Sequence, residues 1–189
     1  MADGLREADC RLRPIEAGDR ERILGWRNQD RVRAAMYTDH VISEDEHGRW
    51  FARALEAADD AYLIFEHQGR PMGFVSITRV NREHDRAEWA FYLGEAEAPR
   101  GMGGAMEMLA LDHAFGAVGV SKLCCEVLGF NAGVVRMHRR FGFVEEGLLK
   151  RHFRRGEDWH DVVLLARFSE GWAGDRAALR PQVFAGDGA

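Results

Sequence analysis

The sequence predicts an α/β domain in which helices pack on one mixed sheet of about seven strands. Apolar residues recur at helical spacing in the first third of the chain, and the pattern becomes strand-like after residue 61. A glycine-rich turn then separates the third of these strands from a long apolar helix. The resulting order is β-α-α-α followed by β-β-β-α-β-α-β-β, with no internal repeat and no second domain.

The first sixty residues predict one strand and three helices. Ser43 followed by Glu46 is a capping box, which marks the start of the third helix. The predicted elements are a strand over 10–15 and helices over 19–28, 31–36 and 43–57.

The remainder predicts a three-stranded meander, a further strand between two helices, and a closing hairpin. Gly142 ends the second of these helices, as a glycine after a helix C-terminus does. We expect the domain to cover 8–170, and we expect 171–189, rich in glycine and alanine, to be a loose extension. The predicted strands are 61–66, 72–80, 87–93, 122–128, 148–153 and 159–166, and the predicted helices are 103–117 and 132–141.

Composition excludes several classes of function. The 189 residues, 46% hydrophobic and 30% charged, suit one globular domain with its own core. The net charge of −5 disfavours nucleic acid and anionic membranes as partners. Seven arginine and lysine residues lie between Arg136 and Arg155, where they form either a site for an anionic ligand or an ordinary solvated face.

The cysteines predict a reducing environment. Cys10, Cys124 and Cys125 are an odd number, and two are adjacent in a strand pattern, where neighbouring side chains point to opposite faces. We therefore expect free thiols and a cytoplasmic protein rather than a disulfide framework. No spacing of cysteine and histidine indicates a metal site, and no N-terminal apolar segment indicates a signal peptide.

The glycine-rich turn is the strongest local motif. Its sequence, R-G-M-G-G-A, matches the pattern R/Q-x-x-G-x-G/A. Such a turn presents a row of backbone N–H groups at a helix N-terminus, where they and the helix dipole bind phosphate. The residues of this candidate phosphate site are Arg100, Gly101, Met102, Gly103, Gly104 and Ala105.

Four features in this order make the chain resemble the GNAT superfamily of acetyl-CoA-dependent N-acyltransferases over 10–168. They are the glycine turn, Asn131 at the start of the next-to-last helix, the segment F-G-F-V-E-E-G from Phe141, and the closing hairpin. The resemblance implies a sheet splayed between strands four and five. It also implies acetyl-CoA as donor, with its pantetheine on the backbone of Phe91, Tyr92 and Leu93 and near Asn131, and its pyrophosphate on the glycine turn.

The N-terminal third carries a narrower resemblance. The runs W-R-N at Trp26, M-Y-T-D-H at Met36 and H-x-x-W at His47 resemble the acetyltransferases of pseudaminic acid biosynthesis. That family acetylates the 4-amine of UDP-4-amino-4,6-dideoxy-N-acetyl-β-L-altrosamine, toward flagellin glycosylation. The resemblance implies a nucleotide-sugar acceptor, UDP- or dTDP-linked, and is compatible with a homodimer. The substrate-side candidates are Arg27, Asn28, Met36, Tyr37, His47 and Trp50.

Two other functions stay open at this point. N-terminal acetyltransferases of ribosomal proteins share the W-R-N start and the G-F-x-x-E-G exit. A non-catalytic acyl-CoA-binding module is the third hypothesis, because most GNAT sequences have tyrosine where this chain has His138.

Three residues are candidates for proton transfer. Glu126 lies in an apolar strand, where a carboxylate is costly unless it is paired or hydrated, and we expect it to be the base that deprotonates the amine. Glu88, one strand away, is the rival base. His138 is the candidate acid near the leaving sulfur, since histidine donates a proton near neutral pH. The alternatives are a solvent-facing strand residue for Glu126 and a structural helix residue for His138.

Overall fold

A seven-stranded sheet organises residues 4–188, the part of the chain that the computed structural model describes. The strand order is β1-β2-β3-β4-β5-β7-β6, and all neighbours are antiparallel except the parallel pair β4–β5. This mixed sheet with flanking helices confirms the predicted fold class. The strands are β1 Cys10–Pro14, β2 Ala61–His67, β3 Arg70–Asn81, β4 Arg86–Leu93, β5 Lys122–Leu128, β6 Val144–Arg155 and β7 Asp158–Phe168.

Three N-terminal helices cover one face of the sheet. They are α1 Arg20–Arg27, α2 Asp30–Arg33 and α3 Glu44–Leu55. The Ser43 hydroxyl accepts a hydrogen bond from the Glu46 amide at 3.2 Å, which confirms Ser43 as the N-cap. The reciprocal bond of the predicted capping box is replaced by a contact of the Glu46 carboxylate with Nε2 of His40 at 3.0 Å. Alternation along β2 sends Ile64 into the cluster under these helices, whereas its neighbours Leu63 and Phe65 join the larger core on the other face.

The opposite face carries α4 Met102–Asp112 and α5 Ala132–Arg140. The last residues of the long helix, His113–Val118, form a wider π-helical turn. Gly101 precedes α4 with φ of 97°, a left-handed conformation that favours glycine at the turn. Gly142 follows α5 with φ of 82°, as predicted for its C-terminal cap.

Strands β4 and β5 pair over three positions only, from Arg86 opposite Lys122 to Glu88 opposite Cys124. Beyond Glu88 the two strands diverge, while β4 continues to pair with β3 as far as Leu93. The predicted splay between strands four and five is therefore present. It opens a gap in the centre of the sheet, where the backbone of β4 lacks a neighbour on one side.

The expectation of a loose extension after residue 170 is wrong. Residues Trp172–Val183 form a sixth helix, α6, and Trp172, Leu179 and Val183 are buried in the main core. The Trp172 indole donates a hydrogen bond to Asp112 on α4 at 2.9 Å. The domain therefore continues beyond residue 170, because this helix covers part of the core that α4 would otherwise expose.

A buried ion network anchors the start of α1 to the sheet. Asp19, 2% exposed, accepts two hydrogen bonds from Arg13 on β1, at 2.6 and 2.9 Å, and one from Arg22 at 3.0 Å. Arg13 also donates to Glu66 on β2 at 2.7 Å. Burial alone would raise the pKa of Asp19, but the bonds to Arg13 and the Glu16 amide outweigh it and lower that pKa.

No helix within residues 4–188 is long and apolar enough to cross a membrane. The three cysteines are free thiols, and Cys10 and Cys125 are buried.

Candidate active site

A groove of about 350 Å³ occupies the gap between β4 and β5. Its walls are the diverging ends of the two strands, the N-terminal turn of α4 and the inner side of α5. The structure therefore brings together one part of the predicted donor and catalytic residues. Those that line the groove are Phe91, Tyr92, Leu93, Gly103, Glu126, Asn131 and His138.

The N-terminus of α4 reaches this groove through its backbone. Within the described chain the amides of Gly103 and Gly104 have no backbone partner, as expected for the first turn of a helix. The side chains of Met102 and Ala105 are fully buried, so these two residues offer a ligand only their backbone. Arg100 is exposed beside the turn. This arrangement fits the pyrophosphate of acetyl-CoA, since the free amides and the helix dipole both favour an anion.

One of the backbone groups predicted to contact acetyl-CoA already has a hydrogen-bond partner. The carbonyl of Leu93 accepts a hydrogen bond from Arg31 at 2.9 Å, and the next carbonyl, of Gly94, accepts from Gln29 at 3.0 Å. A side chain at position 94 would collide with the ring of Trp26, so glycine is required for α1 to pack there. The β4 backbone that remains for a pantetheine arm therefore lies between Glu88 and Leu93.

His138 is buried beside the groove and paired with a residue that sequence reasoning missed. Its Nδ1 lies 2.7 Å from Oε1 of Glu107, and the two residues are 1% and 0% exposed. Burial raises the pKa of Glu107, and the hydrogen bond to His138 partly opposes that rise. The signal for Glu107 was a single carboxylate inside the apolar helix run M-E-M-L-A-L.

Glu126 is exposed at the divergence and accepts a hydrogen bond from the Tyr37 hydroxyl at 2.5 Å. Burial and the neighbouring Glu126 carboxylate both raise the pKa of Tyr37, so the phenol remains a donor. Glu88 is bound to Arg79 at 3.0 Å and lies outside the groove. Of the two candidate bases, only Glu126 lines the donor groove.

A second cavity, of about 450 Å³, lies between the N-terminal helices and the face of β3 and β4. It brings together four of the predicted substrate-side residues: Arg27, Met36, His47 and Trp50. Around them lie residues that were not predicted for the acceptor: Ile23, Thr38, Ile42, Glu46, Arg49, Arg53, Phe74, Ser76, Ala90 and Tyr92. The spacing of the charged residues could have indicated that they share one face of α3, because Glu46, Arg49 and Arg53 lie three and four residues apart.

The structure does not bring Asn28 or Tyr37 into this cavity. Both polar atoms of the Asn28 amide bind the backbone of Ile42, donating to its carbonyl at 2.9 Å and accepting from its amide at 2.8 Å. Asn28 therefore fixes the loop before α3 rather than facing a ligand. Tyr37 lies instead against Glu126 and packs edge-on against Phe153, with ring centroids 5.2 Å apart.

Arg27 is a desolvated cation in the cavity wall. One guanidinium nitrogen donates to the Thr38 carbonyl at 3.0 Å, while the buried Nη1 has no hydrogen-bond partner within residues 4–188. Burial lowers the pKa of Arg27. A buried donor without an acceptor is costly, so this side of the cavity favours an anionic or strongly accepting ligand group.

His47 forms part of the wall rather than a free base. Its Nε2 donates to the carbonyl of Arg20 at 2.8 Å, and its ring packs against that of Trp50 at 5.2 Å between centroids. Burial lowers the pKa of His47, which favours the neutral imidazole. The residue therefore holds α3 to α1 and supports Trp50.

Met36 and Ala90 line both the donor groove and the second cavity. They also line a third cavity, of about 400 Å³, which contains Glu88, Glu126 and Glu146. Arg155, at the tip of the β6–β7 hairpin, donates to the carbonyl of Met36 at 2.7 Å and holds this segment in place. The three spaces therefore meet at the mouth of the splay, where an acyl group and an amine can come together.

Comparison with known proteins decides the family. Residues 9–144 match the family model described as "Acetyltransferase (GNAT) domain". The chain belongs to the GNAT acetyltransferases. It is therefore an N-acetyltransferase that uses acetyl-CoA, and the groove in the splay is the candidate site for this donor.

Relatives of this GNAT chain include polyamine enzymes. Spermidine N(1)-acetyltransferase of Escherichia coli K12 is 22% identical over 158 residues, covering 84% of this chain and 85% of that protein. The crystal structure of spermidine N-acetyltransferase from Vibrio cholerae in complex with CoA and spermine has a TM-score of 0.82 at 22% identity. That match covers 88% of this chain and 99% of the other. An N-acetyltransferase from Staphylococcus aureus Mu50 has a TM-score of 0.73 at 20% identity, covering 84% and 98%. At these identities, the structural likeness establishes the fold.

Proposed function

We propose that this enzyme transfers the acetyl group of acetyl-CoA to the amine of a small acceptor that also carries anionic groups. The observation that most strongly supports this proposal is the wall of the 450 Å³ cavity, which combines three arginines with a single carboxylate. The acceptor that best matches this wall is a UDP-linked 4-amino-4,6-dideoxy sugar, acetylated at its 4-amine. The charged residues of the wall are Arg27, Arg49, Arg53 and Glu46.

The cavity suits the two parts of such an acceptor. Trp50, Phe74 and Tyr92 form an aromatic wall, with Trp50 and Phe74 at 5.9 Å and Phe74 and Tyr92 at 5.4 Å between ring centroids. Rings of this kind pack against the apolar face of a deoxy sugar, while arginines bind phosphate oxygens in bidentate geometry. The unsatisfied Nη1 of Arg27 would gain an acceptor when the ligand binds.

Glu126 is the proposed base. It lies in the donor groove and the third cavity, next to the junction at Met36 and Ala90, and no cation neutralises it within the described residues. A water between Glu126 and the amine would carry the proton. Glu88 suits this role less well, because Arg79 holds its carboxylate. The Tyr37 hydroxyl would orient the Glu126 carboxylate.

His138 is the proposed acid for the departing sulfur, and backbone N–H groups of β4 beyond Glu88 are the proposed donors to the developing oxyanion. Cys125 also lines the groove, but burial raises the pKa of its thiol far above neutrality, so it remains protonated and is a poor nucleophile. These features support direct attack of the amine on the thioester without an acetyl-enzyme.

A polyamine is the second candidate acceptor. It is favoured by the spermidine acetyltransferases among the relatives and by the three glutamates of the third cavity. Two of these are already paired, Glu88 with Arg79 at 3.0 Å and Glu146 with Lys122 at 2.7 Å. Little negative charge remains there for a polycation, and the arginines of the larger cavity oppose it.

An acceptor screen by mass spectrometry tests the proposal. Acetyl-CoA is supplied with UDP- and dTDP-amino sugars, spermidine, spermine and peptides with free N-termini. We expect an added acetyl group on a nucleotide-linked amino sugar. Turnover of polyamine or peptide alone would overturn the proposed acceptor. Tight binding of acetyl-CoA with no acetylated acceptor would favour a non-catalytic acyl-CoA-binding module. The free thiols are consistent with the cytoplasmic location that we also propose.

A further inference from the structure

We propose that Glu107 is a positioning residue that keeps a proton on Nε2 of His138, ready for donation to the sulfur that leaves the acetyl group. This inference rests on the proposed function, because it concerns the acid in that reaction. It adds Glu107 as a partner of the proposed acid, His138. It also explains how a histidine can act where a tyrosine is usual in this family.

The pair lies between α4 and α5 in an apolar pocket. His138 is surrounded by the rings of Trp89, Phe91 and Phe143, at 5.3, 5.7 and 4.8 Å between centroids. Oε1 of Glu107 contacts the Nδ1 of His138, whereas its buried Oε2 has no hydrogen-bond partner among the described residues. The pair is thus removed from water at the side of the donor groove.

The other ionisable groups near the pair are few. Arg140, on the same helix as His138, lowers the pKa of Glu107 slightly, and Cys125 approaches from β5. The thiol of Cys125 stays neutral because burial raises its pKa. The neighbouring β4 side chains, Trp89 and Phe91, carry no charge. No strong charge therefore competes with the contact between Glu107 and His138.

Burial determines how many protons the pair holds. An ionised Glu107 beside a neutral imidazole would leave one uncompensated negative charge in an apolar pocket, which is costly. One further proton removes that charge. The pair is then either a carboxylic acid that donates to Nδ1 or a carboxylate that accepts from an imidazolium. In both forms Nε2 carries a hydrogen, and it makes no hydrogen bond to another described residue.

The proton transfer balances from either form. As the carbon–sulfur bond of the thioester breaks, its electron pair goes to sulfur and Nε2 gives sulfur its proton. Nδ1 keeps, or receives from Glu107, the shared proton. The products are a neutral thiol, a neutral imidazole protonated on Nδ1 and a carboxylate at Glu107. The amine proton leaves separately through Glu126, and solvent later reprotonates Nε2.

The test is Glu107→Gln, which preserves shape but cannot give or take the shared proton. We expect kcat to fall by about 100-fold, the usual contribution of an acid catalyst, with the KM for acetyl-CoA nearly unchanged. In a His138→Asn background, the same change should cost nothing further, because the two residues act as one unit. Glu145→Gln, an exposed carboxylate paired with Arg139, is the matched control and should leave kcat unchanged.

Imidazole nitrogen NMR reads the proton directly. With ¹⁵N-labelled histidine, assigned by loss of the signal in His138→Asn, wild-type protein should show a protonated Nε2, and Glu107→Gln should show a mixture of tautomers. A bare Nε2 in the wild type, or a fall in kcat that is merely additive in the double variant, would overturn the inference. If no acceptor in the screen is acetylated, the proposed function fails while the spectrum still decides the protonation of His138.

Discussion

The donor groove and the 450 Å³ cavity differ in the chemical groups that they present to a ligand. The groove offers backbone groups, made available by the splay after Glu88 and by the first turn of α4, beside side chains such as Glu126 and His138. The cavity consists of side chains, with arginines and aromatic rings from α1, α3 and β3. Backbone groups can bind the same donor in chains of different sequence, whereas the side chains of the cavity can change with the acceptor. This difference would allow a chain at 22% identity to polyamine enzymes to share their fold and bind the different acceptor that we propose.

The largest expected effect is at the junction of the two regions. Glu126→Gln should lower kcat by roughly 1,000-fold, because general base catalysis contributes about 100- to 10,000-fold. Binding of acetyl-CoA, measured by calorimetry, should not change. Glu88→Gln is the matched control, since it removes a carboxylate that Arg79 holds outside the groove. A greater loss in Glu88→Gln than in Glu126→Gln would reverse the assignment of the base.

The second effect tests whether the ion network at α1 stabilises the cavity without affecting the groove. Asp19→Asn should destabilise the fold by about 3 kcal/mol, the low end for breaking a buried ion pair, because Arg13 is partly exposed. Since α1 lines the cavity and not the groove, the KM for acetyl-CoA should be unchanged below the unfolding temperature. A loss of acetyl-CoA binding in the folded variant would contradict this separation.

The same ion network makes the stability of the fold depend on pH. The folded pKa values of Asp19 and Glu66 lie below their usual 3.8 and 4.5, so their stabilisation is complete above those values. It is lost as the pH falls through the lowered folded values. Thermal melts of wild-type protein should therefore fall steeply below about pH 4, and those of Asp19→Asn should fall less steeply over the same range.

The third effect concerns the acceptor alone. Arg27→Met should raise the KM for an anionic acceptor by about 30-fold, since a charged hydrogen bond contributes about 2 kcal/mol, and should leave the KM for acetyl-CoA unchanged. Arg27→Lys should recover only part of the loss, because lysine lacks bidentate geometry. Improved turnover of spermidine in Arg27→Met would show that the arginine excludes polycations. An unchanged KM for every acceptor would remove Arg27 from the site.

The smallest effect is at Tyr37. Tyr37→Phe should lower kcat by about fivefold, the equivalent of one hydrogen bond to Glu126. The ring contact with Phe153 is retained in this variant, so stability should change little. A loss as large as that of Glu126→Gln would indicate that the phenol itself moves a proton.

Most of the fold could be predicted because its signals are local. The Ser43 cap and the glycines at 101 and 142 each depend on a few adjacent residues. The C-terminal helix could not be recognised in the same way. Its buried residues lie seven and four apart, a helical spacing, but Gly174 and Pro181 interrupt a short segment in which alanine is the commonest apolar residue. Its stability comes from the contacts with α4, which are distant in sequence.

The candidate site divides in the same way. The glycine turn and Asn131 were predictable because their positions are set by the ends of helices. The Glu107–His138 pair joins residues 31 positions apart, so only packing reveals that the carboxylate has a partner. Asn28 shows the opposite case, because a polar residue in a distinctive motif bonds to the Ile42 backbone and does not line the cavity.

The two ends of the described chain meet beside the glycine-rich turn. The Gly186 amide donates to the Leu5 carbonyl at 2.9 Å, and Glu7 is held by Arg176 and Arg180 of α6. A side chain at Gly101 would approach Leu5 to 3.2 Å, so the N-terminal segment packs directly behind this turn. A short linker between the ends would therefore suit a circular permutant opened elsewhere, such as at the exposed turn of Gly156. Residues inserted next to Leu5 or Gly186, by contrast, would lie close to the proposed pyrophosphate site.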